Sequence, residues 1–406
     1  MRVSKYEKLN TEFKNRIDDF HSDVAKSGFI KKTKSGQWLY NFKKFSVLKN
    51  GKEQVKVCHF CINKMACDVL ENKFCGGNTF YPEDEFLPNY KKIENSSQLS
   101  GAIGYFYSHL AGHYKKLCDD EDQYYQEHKI KKDDGSFRII HAPEIRIKLI
   151  QQAILEKVLY KYIKFPKHVT GFMPGKNVVD NATPHVKKSV VVRLDLKDFF
   201  PSVFAGVVHK KLRKYFPPHV CNMIVRLCSY KEHMAQGIPT SPYLANLACD
   251  EMDKDILKLC KSRRWDYTRY ADDLTFSVKS GREDVSRNVV DDFIREVYKI
   301  VGKSGYRINS QKTHVMRRGK RQTVTGIIVN EKVNIPKHFR RTLRAIIHNS
   351  NKRGIQSQLR GAKTGEFKRR VSGLLAYTKI VNPVVWERLN NEWEQARYEK
   401  QKNKTS

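Results

Sequence analysis

The feature that most constrains this chain is an apolar strand that ends in charge. Val190-Val191-Val192-Arg193-Leu194-Asp195-Leu196 is the most apolar strand pattern in the sequence, and a carboxylate stands near its end. Further along, Arg269-Tyr270-Ala271-Asp272-Asp273-Leu274-Thr275-Phe276 sets two adjacent carboxylates between apolar residues. Burying such charges is costly without a counterion or hydrogen bonds. If the Asp272 region bends a hairpin that pairs with the first strand, Asp195 and Asp272 converge. Two divalent ions about 3.5–4 Å apart would then neutralise them. Mg²⁺, a hard cation, suits carboxylate and phosphate oxygens. The plainer alternative for an Asp-Asp pair in a hairpin is a polar turn.

Charge points to the partner. Of 406 residues, 77 are Lys or Arg and 43 are Asp or Glu, a net charge of +34. So large an excess repels itself unless something anionic offsets it. Nucleic acid is the default candidate, with an anionic membrane surface or simple solubility as alternatives. Apolar residues are 40% and aromatics 11%, which excludes a disordered basic tail. The length suits two or three packing units of about 100–200 residues each. No stretch approaches the ~20 apolar residues of a membrane span, and no signal-like run follows Met1. A cytoplasmic protein without a membrane partner is expected.

Periodicity predicts helices over residues 6–24, 97–116 and 145–162, one from Pro242 to about Cys260, and one beyond Glu331 with Pro336 in its first turn. A last helix carries Val385, Leu389 and Trp393. A hairpin is expected at His128–His141 around Asp133-Asp134-Gly135, and further strands at Tyr267–Val278 and Val324–Val329. The fold class is α+β. The expected divisions are a mostly helical 1–125, then 126–189, 190–330 and a basic helical 331–406. Nine cysteines are too few and too irregular for a disulfide framework. Cys58, His59, Cys61, Cys67 and Cys75 cluster, but only Cys58 and Cys61 have zinc-like spacing, so zinc is not expected. Lys31, Lys32, Lys34, Trp38, Tyr40, Lys43 and Lys44 offer a stacking surface for unpaired bases, or an internal aromatic core.

Tyr270-Ala271-Asp272-Asp273 resembles the YxDD signature of reverse transcriptases. Asp195, within Arg193–Ser202, matches the upstream aspartate motif of that family, and Gln236-Gly237-Ile238-Pro239-Thr240-Ser241-Pro242 its Gln-Gly loop. The three blocks stand in the family's order. The resemblance implies a right-hand polymerase with fingers, palm and helical thumb. It implies Asp195, Asp272 and Asp273 as catalytic, metal-binding carboxylates holding two Mg²⁺ ions. Phe200 falls where the family places an aromatic against the incoming sugar, although Phe199 lies beside it. Gln236 and Gly237 would shape the nucleotide pocket. Lys131 and Arg138, with Lys132 less favoured, resemble the fingers cations that grip the triphosphate, and Arg146 and Lys148 could face the template. Lys312 matches the lysine that approaches the leaving pyrophosphate; the alternative is a loop lysine. Thr325 and Gly326 lie where the family holds the primer.

Two further motifs narrow the resemblance. Asn181-Ala182-Thr183-Pro184-His185 is similar to the NAxxH element of retron reverse transcriptases, and Val324-Thr325-Gly326 to their VTG element. That likeness implies RNA-directed synthesis of RNA-linked single-stranded DNA (msDNA) from a structured cognate noncoding RNA. Its implied partners are dNTPs, the RNA–DNA hybrid, cellular ribonuclease H and an effector protein in anti-phage defence. Residues 331–406 carry 18 Lys or Arg and 6 Asp or Glu. Within them Arg340, Arg341, Arg344, Lys368, Arg369 and Arg370 are expected to contact RNA phosphates, reading shape more than sequence. The alternatives are a related defence enzyme with protein-primed or untemplated synthesis, an RNA-templated RNA polymerase, and an inactive RNA-binding scaffold.

Overall fold

The computed structural model describes residues 90–105, 107–132, 135–279, 285–359 and 361–398, with four short strands nearer the N-terminus. The chain divides into two units, Met1–Tyr162 with Leu212–Cys228, and Ile163–Lys211 with Ser229–Ser406. The expected helix at 6–24 and the Cys58–Cys75 cluster lie outside the described residues. So do the side chains of the Lys31–Lys44 stretch.

In the first unit, β1 (Ile30–Lys32) pairs with β2 (Trp38–Tyr40), and β3 (Val47–Lys49) with β4 (Glu53–Val55). Where one helix was expected over 97–116 there are two, Ser96–Ala102 and Tyr107–Asp119. Gly104, at φ +76°, turns the chain out of the first helix while the Tyr105 amide reaches back to the Ser100 carbonyl. The antiparallel hairpin forms as expected, from β5 (Tyr125–Lys131) and β6 (Phe137–Pro143). The following helix runs from Ile145 to Tyr162 with a π-helical stretch at Ile154–Leu159. Buried Gln151 ties three pieces of this unit together. Its amide donates to the Tyr125 hydroxyl at 3.0 Å and to the Leu227 carbonyl of the Pro218–Cys228 helix at 2.9 Å.

The second unit is built on an antiparallel sheet of β7 (Val190–Asp195), β8 (Asp266–Tyr270), β9 (Asp273–Val278) and β10 (His314–Arg317), in the order β10-β7-β9-β8. Directly opposed residues share a face, and neighbours along a strand alternate. The register therefore puts Val191, Arg193, Asp195, Thr268, Asp273, Thr275 and Ser277 on one face. Val192, Leu194, Arg269, Leu274 and Phe276 lie on the other. Helices cover that second face. Phe293, on the Arg287–Lys303 helix, stacks on Trp265 with ring centres 4.1 Å apart and meets Phe276 edge-on at 5.3 Å.

Tyr267–Val278 forms two strands with the bend at Ala271-Asp272, the hairpin on which the convergence of Asp195 and Asp272 depended. Two other expectations need adjusting. The helix from Pro242 breaks at Cys249 into Ser241–Ala248 and Asp250–Arg263. Val324–Val329 is not one strand but a tight hairpin of β11 (Thr323–Val324) and β12 (Ile327–Ile328). Its two turn residues, Thr325 and Gly326, have φ of +46° and +81°, the geometry a two-residue hairpin with native twist requires. The C-terminal part is a bundle of three helices, Lys337–Arg353, Thr364–Val381 and Pro383–Tyr398. Leu343, Ile347, Phe367, Val371, Leu389 and Trp393 form its core. Pro336 stands at the N-cap, immediately before the first helical residue. Among the described residues, no helix is long and apolar enough to cross a membrane.

Candidate active site

Asp195 ends β7 directly opposite Asp273, and the Leu196 amide donates to the Asp272 carbonyl at 2.9 Å. That bond fastens the Tyr270–Asp273 turn to the end of β7 and brings Asp272 beside Asp195. Burial first, and the negative charge of Asp195 second, push the Asp272 carboxyl above the ordinary carboxylate value. The turn is strained as well as charged. Ala271 is buried with φ +56°, the left-handed region that alanine rarely enters.

Around this pair the structure assembles several predicted residues. The Asn309 amide donates to the Asp195 carbonyl at 2.8 Å, and a short turn at Ser310–Lys312 follows. Lys312 Nζ then lies 3.2 Å from Asp195 Oδ1. Asp273 has a different neighbour. Arg193 Nη2 donates to its Oδ2 at 2.6 Å, so the third expected ligand is neutralised by an arginine two residues before Asp195. Among the described residues no three His, Cys, Asp or Glu side chains form a metal-holding group. Asp195 and Asp272 thus offer two carboxylates. That donor set suits Mg²⁺, which is commonly held by one or two carboxylates while phosphate oxygens and water complete the shell.

Phe200 sits in the loop after β7, its ring centre 5.3 Å from Phe199 and 6.5 Å from Phe172, while Phe172 lies 5.9 Å from Tyr270. The loop bearing Gln236 and Gly237 is anchored to the same segment, since the Met234 amide donates to the Val203 carbonyl at 3.0 Å. Gly237, at φ +106°, takes a backbone conformation open to glycine.

The NAxxH-like and VTG-like motifs do not form a chemical centre of their own. His185 is fully buried against the polar part of the carboxylate-bearing face. Its Nδ1 pairs with Ser277 Oγ at 2.7 Å and its Nε2 with Thr268 Oγ1 at 2.8 Å. Burial first, and the nearby Lys188 charge second, lower its pKa to about 3, so the ring is neutral. Asn181 Oδ1 accepts from Thr170 Oγ1 at 2.8 Å. Ala182 shares an apolar cluster with Val191, Val324 and Ile327, and the Thr325 hydroxyl donates to the Val178 carbonyl. The two motifs, far apart in sequence, are one packed body on the carboxylate-bearing face of the sheet, further along the strands from the site.

The remaining basic residues divide between the units. Lys131 and Arg138 are exposed on the first unit's hairpin, where the register places Arg138 across from Ile130 and Lys131 across from Phe137, on opposite faces. In the second unit, Arg340 and Arg341 line a groove of about 650 Å³ with Arg321, Lys337 and His338, and among the described residues no acidic side chain lines it. Arg344 is exposed on the same helix. Lys368, Arg369 and Arg370 follow each other on the Thr364–Val381 helix.

Sequence reasoning assigned no role to the segment His168–Phe172. It runs alongside β8, with the Arg269 amide donating to His168 at 2.8 Å and the Thr170 amide to Arg269 at 2.9 Å. Gly171 lies so close to the Ala271 turn that a Cβ there would stand 2.6 Å from the Ala271 nitrogen. The available signals were the glycine itself and the charged Arg269 between Thr268 and Tyr270 in a strand that leads into the acidic turn.

The profile of the reverse transcriptase (RNA-dependent DNA polymerase) family matches residues 130–353, more than half of the chain. The retron Mx65 reverse transcriptase of Myxococcus xanthus is 33% identical over 286 residues, covering 66% of this chain and 64% of that protein. The retron Mx162 reverse transcriptase of the same organism is 32% identical over 323 residues, covering 72% and 65%. The retron Ec86 reverse transcriptase of Escherichia coli is 35% identical over 213 residues, covering 52% and 64%. The chain thus spans just under two thirds of the length of these relatives. It belongs to the reverse transcriptase (RNA-dependent DNA polymerase) family, and these curated relatives within it are retron reverse transcriptases.

Proposed function

We propose that this chain is an RNA-directed DNA polymerase whose second unit carries palm and thumb and whose first unit carries the fingers. The observation that carries this reading is the convergence of Asp195 and Asp272 at the end of β7, with Lys312 against Asp195. The two carboxylates would hold a pair of Mg²⁺ ions. When bound, such ions lower the pKa of the attacking 3′-hydroxyl and neutralise the triphosphate and leaving group. Asp273, paired with Arg193, stiffens the strand end rather than adding a ligand. Lys312 would leave Asp195 for the departing pyrophosphate, as a point charge and proton donor. Phe200 would close the sugar pocket against a ribose 2′-hydroxyl, with Gln236 and Gly237 forming the wall anchored beside it. Arg138 or Lys131 would supply the fingers cation for the triphosphate.

The retron likeness supports a structured cognate noncoding RNA as both primer and template, with RNA-linked single-stranded DNA as product. The groove lined by Arg321, Lys337, Arg340 and Arg341 would take RNA phosphates, with Arg344 and Lys368–Arg370 extending the basic surface. Thr325 and Gly326 would lie along the primer. Ribonuclease H and an effector in anti-phage defence complete this reading. The test is to purify the protein with its bound nucleic acid and sequence both RNA and DNA. An RNA–DNA species joined through a 2′,5′ linkage supports it; absence of DNA during active growth overturns it. Asp272→Asn is expected to abolish dNTP incorporation and keep RNA binding. Full activity of that variant in Mg²⁺ would refute the metal assignment.

A further inference from the structure

Behind the Asp272 turn, on the face of the sheet away from the carboxylates, lies a buried polar chain. Arg269 is fully buried on β8. Its Nε and Nη2 donate to Asp253 of the Asp250–Arg263 helix at 2.9 and 2.7 Å. Its Nη1 donates to Asn246 Oδ1 at 2.7 Å and to the Ala271 carbonyl at 3.2 Å. Asn246, on the Ser241–Ala248 helix, passes its own amide to the Gly171 carbonyl at 2.8 Å. Gly171 in turn abuts the Ala271 amide. Ala271 is therefore held from both sides, through its carbonyl by Arg269 and at its nitrogen by the Gly171 backbone.

A left-handed alanine is strained and persists only where its surroundings over-determine it. Were Ala271 to relax, the peptide plane joining it to Asp272 would rotate, and the carboxylate would leave its place beside Asp195. Stability alone does not account for the arrangement. A buried ion pair is often no more stabilising than apolar residues of the same volume, whereas its fork of fixed donors fixes geometry. Lysine could preserve the charge pairing with Asp253. It could not reach Asp253, Asn246 and Ala271 together, because it lacks the planar fork.

We propose that Arg269, clamped by Asp253 and Asn246, is a positioning residue that keeps Ala271 left-handed and thereby sets the Asp272 carboxylate relative to Asp195. This rests on the reading of Asp272 as a metal-binding carboxylate. The experiment compares Arg269→Lys, Asn246→Ala and Asp272→Asn in the full chain, on a primed RNA template with one dNTP and Mg²⁺. Single-turnover amplitude reports the folded fraction and the rate constant reports positioning. Arg269→Lys is expected to keep the amplitude and the half-saturating dNTP concentration while its rate constant falls about 10- to 100-fold, the scale of an ångström-level misplacement. Amide hydrogen exchange in residues 266–278, measured without substrate, is expected to accelerate. Asn246→Ala leaves the Arg269–Asp253 pair intact and is expected to shift both readouts the same way; it decides the question if Arg269→Lys fails to fold. Activity in Asp272→Asn would overturn the underlying reading. A dead Asp272→Asn with wild-type rate and exchange in the folded clamp variants would overturn the clamp alone.

Discussion

His185 gives the most quantitative handle on how this site is supported. In the unfolded chain a histidine titrates near its ordinary pKa of about 6.5. In the fold, burial first and Lys188 second bring it to about 3. Between those values the unfolded chain binds a proton that the folded chain excludes. The contribution of the neutral ring is therefore whole above about pH 6.5 and is lost as pH falls toward 3. Each pH unit inside the window removes about 1.4 kcal/mol, so going from pH 7.5 to pH 5 removes about 2 kcal/mol. The perturbation is His185→Gln, which deletes the titrating ring and leaves a neutral polar side chain against Ser277 and Thr268. The assay is urea unfolding at both pH values, followed by tryptophan fluorescence. Three of the four tryptophans, Trp265, Trp386 and Trp393, lie in the second unit. Wild type is expected to lose about 2 kcal/mol more than His185→Gln between the two pH values. Equal losses, within about 0.5 kcal/mol, would refute the assignment of His185 as a buried neutral brace.

Three other outcomes are expected. Gly171→Ala puts a Cβ 2.6 Å from the Ala271 nitrogen and 2.9 Å from the Tyr270 carbonyl carbon, both backbone atoms that cannot swing away. A loss of about 1–3 kcal/mol of stability with a larger loss of DNA synthesis should follow, and unchanged unfolding and rate would refute the close approach. Phe200→Val should lower the dNTP-over-rNTP ratio of kcat/KM about tenfold or more, and an unchanged ratio would remove Phe200 from the sugar pocket. Neutralising Arg340, Arg341 and Arg344 to Gln should flatten the salt dependence of cognate RNA binding by about 2.7 in log–log slope if all three meet duplex phosphates. An unchanged isotherm would place the RNA elsewhere.

The chemistry of the site was more legible in the sequence than its support. An apolar strand ending in Asp195 and a two-carboxylate turn announce themselves because burying charge is expensive, and their convergence is the observed register. The helix splits at Gly104 and Cys249 were not legible, because apolar periodicity continues across both breaks and local backbone geometry alone ends the helices. The Val324–Val329 hairpin was missed for a related reason. Two residues of positive φ suffice to reverse a chain whose side-chain pattern still reads as one strand. The clamp was hidden differently. Asp253, Asn246 and Arg269 lie on three elements, and only tertiary packing turns a stray charge in a strand into the ligand of a carbonyl. Asp273 shows the same limit, because its pairing with Arg193 depends on cross-strand geometry that composition does not contain.

The buried hydroxyls of Thr268, Thr275 and Ser277 explain why a histidine motif belongs on the carboxylate-bearing face at all. They occupy the face that carries Asp195, at positions where an interior sheet would ordinarily place apolar side chains. Side chains alternate with period two, so slipping β8 and β9 together by one residue, in the sense that carries Asp272 past the end of β7, would exchange Ser277 and Thr268 for Val278 and Tyr267 in front of His185. The ring would then face a valine and the ring of a tyrosine in place of the two hydroxyls that satisfy its nitrogens, and leaving a buried polar group without its partner is costly. The same slip would carry Asp273 to the helix-covered face and take Asp272 away from Asp195. A neutral, doubly bonded His185 thus penalises this register, in which Asp272 fails to meet Asp195. The brace and the site are two ends of one alignment: the motif contributes by fixing where the acidic turn falls along β7.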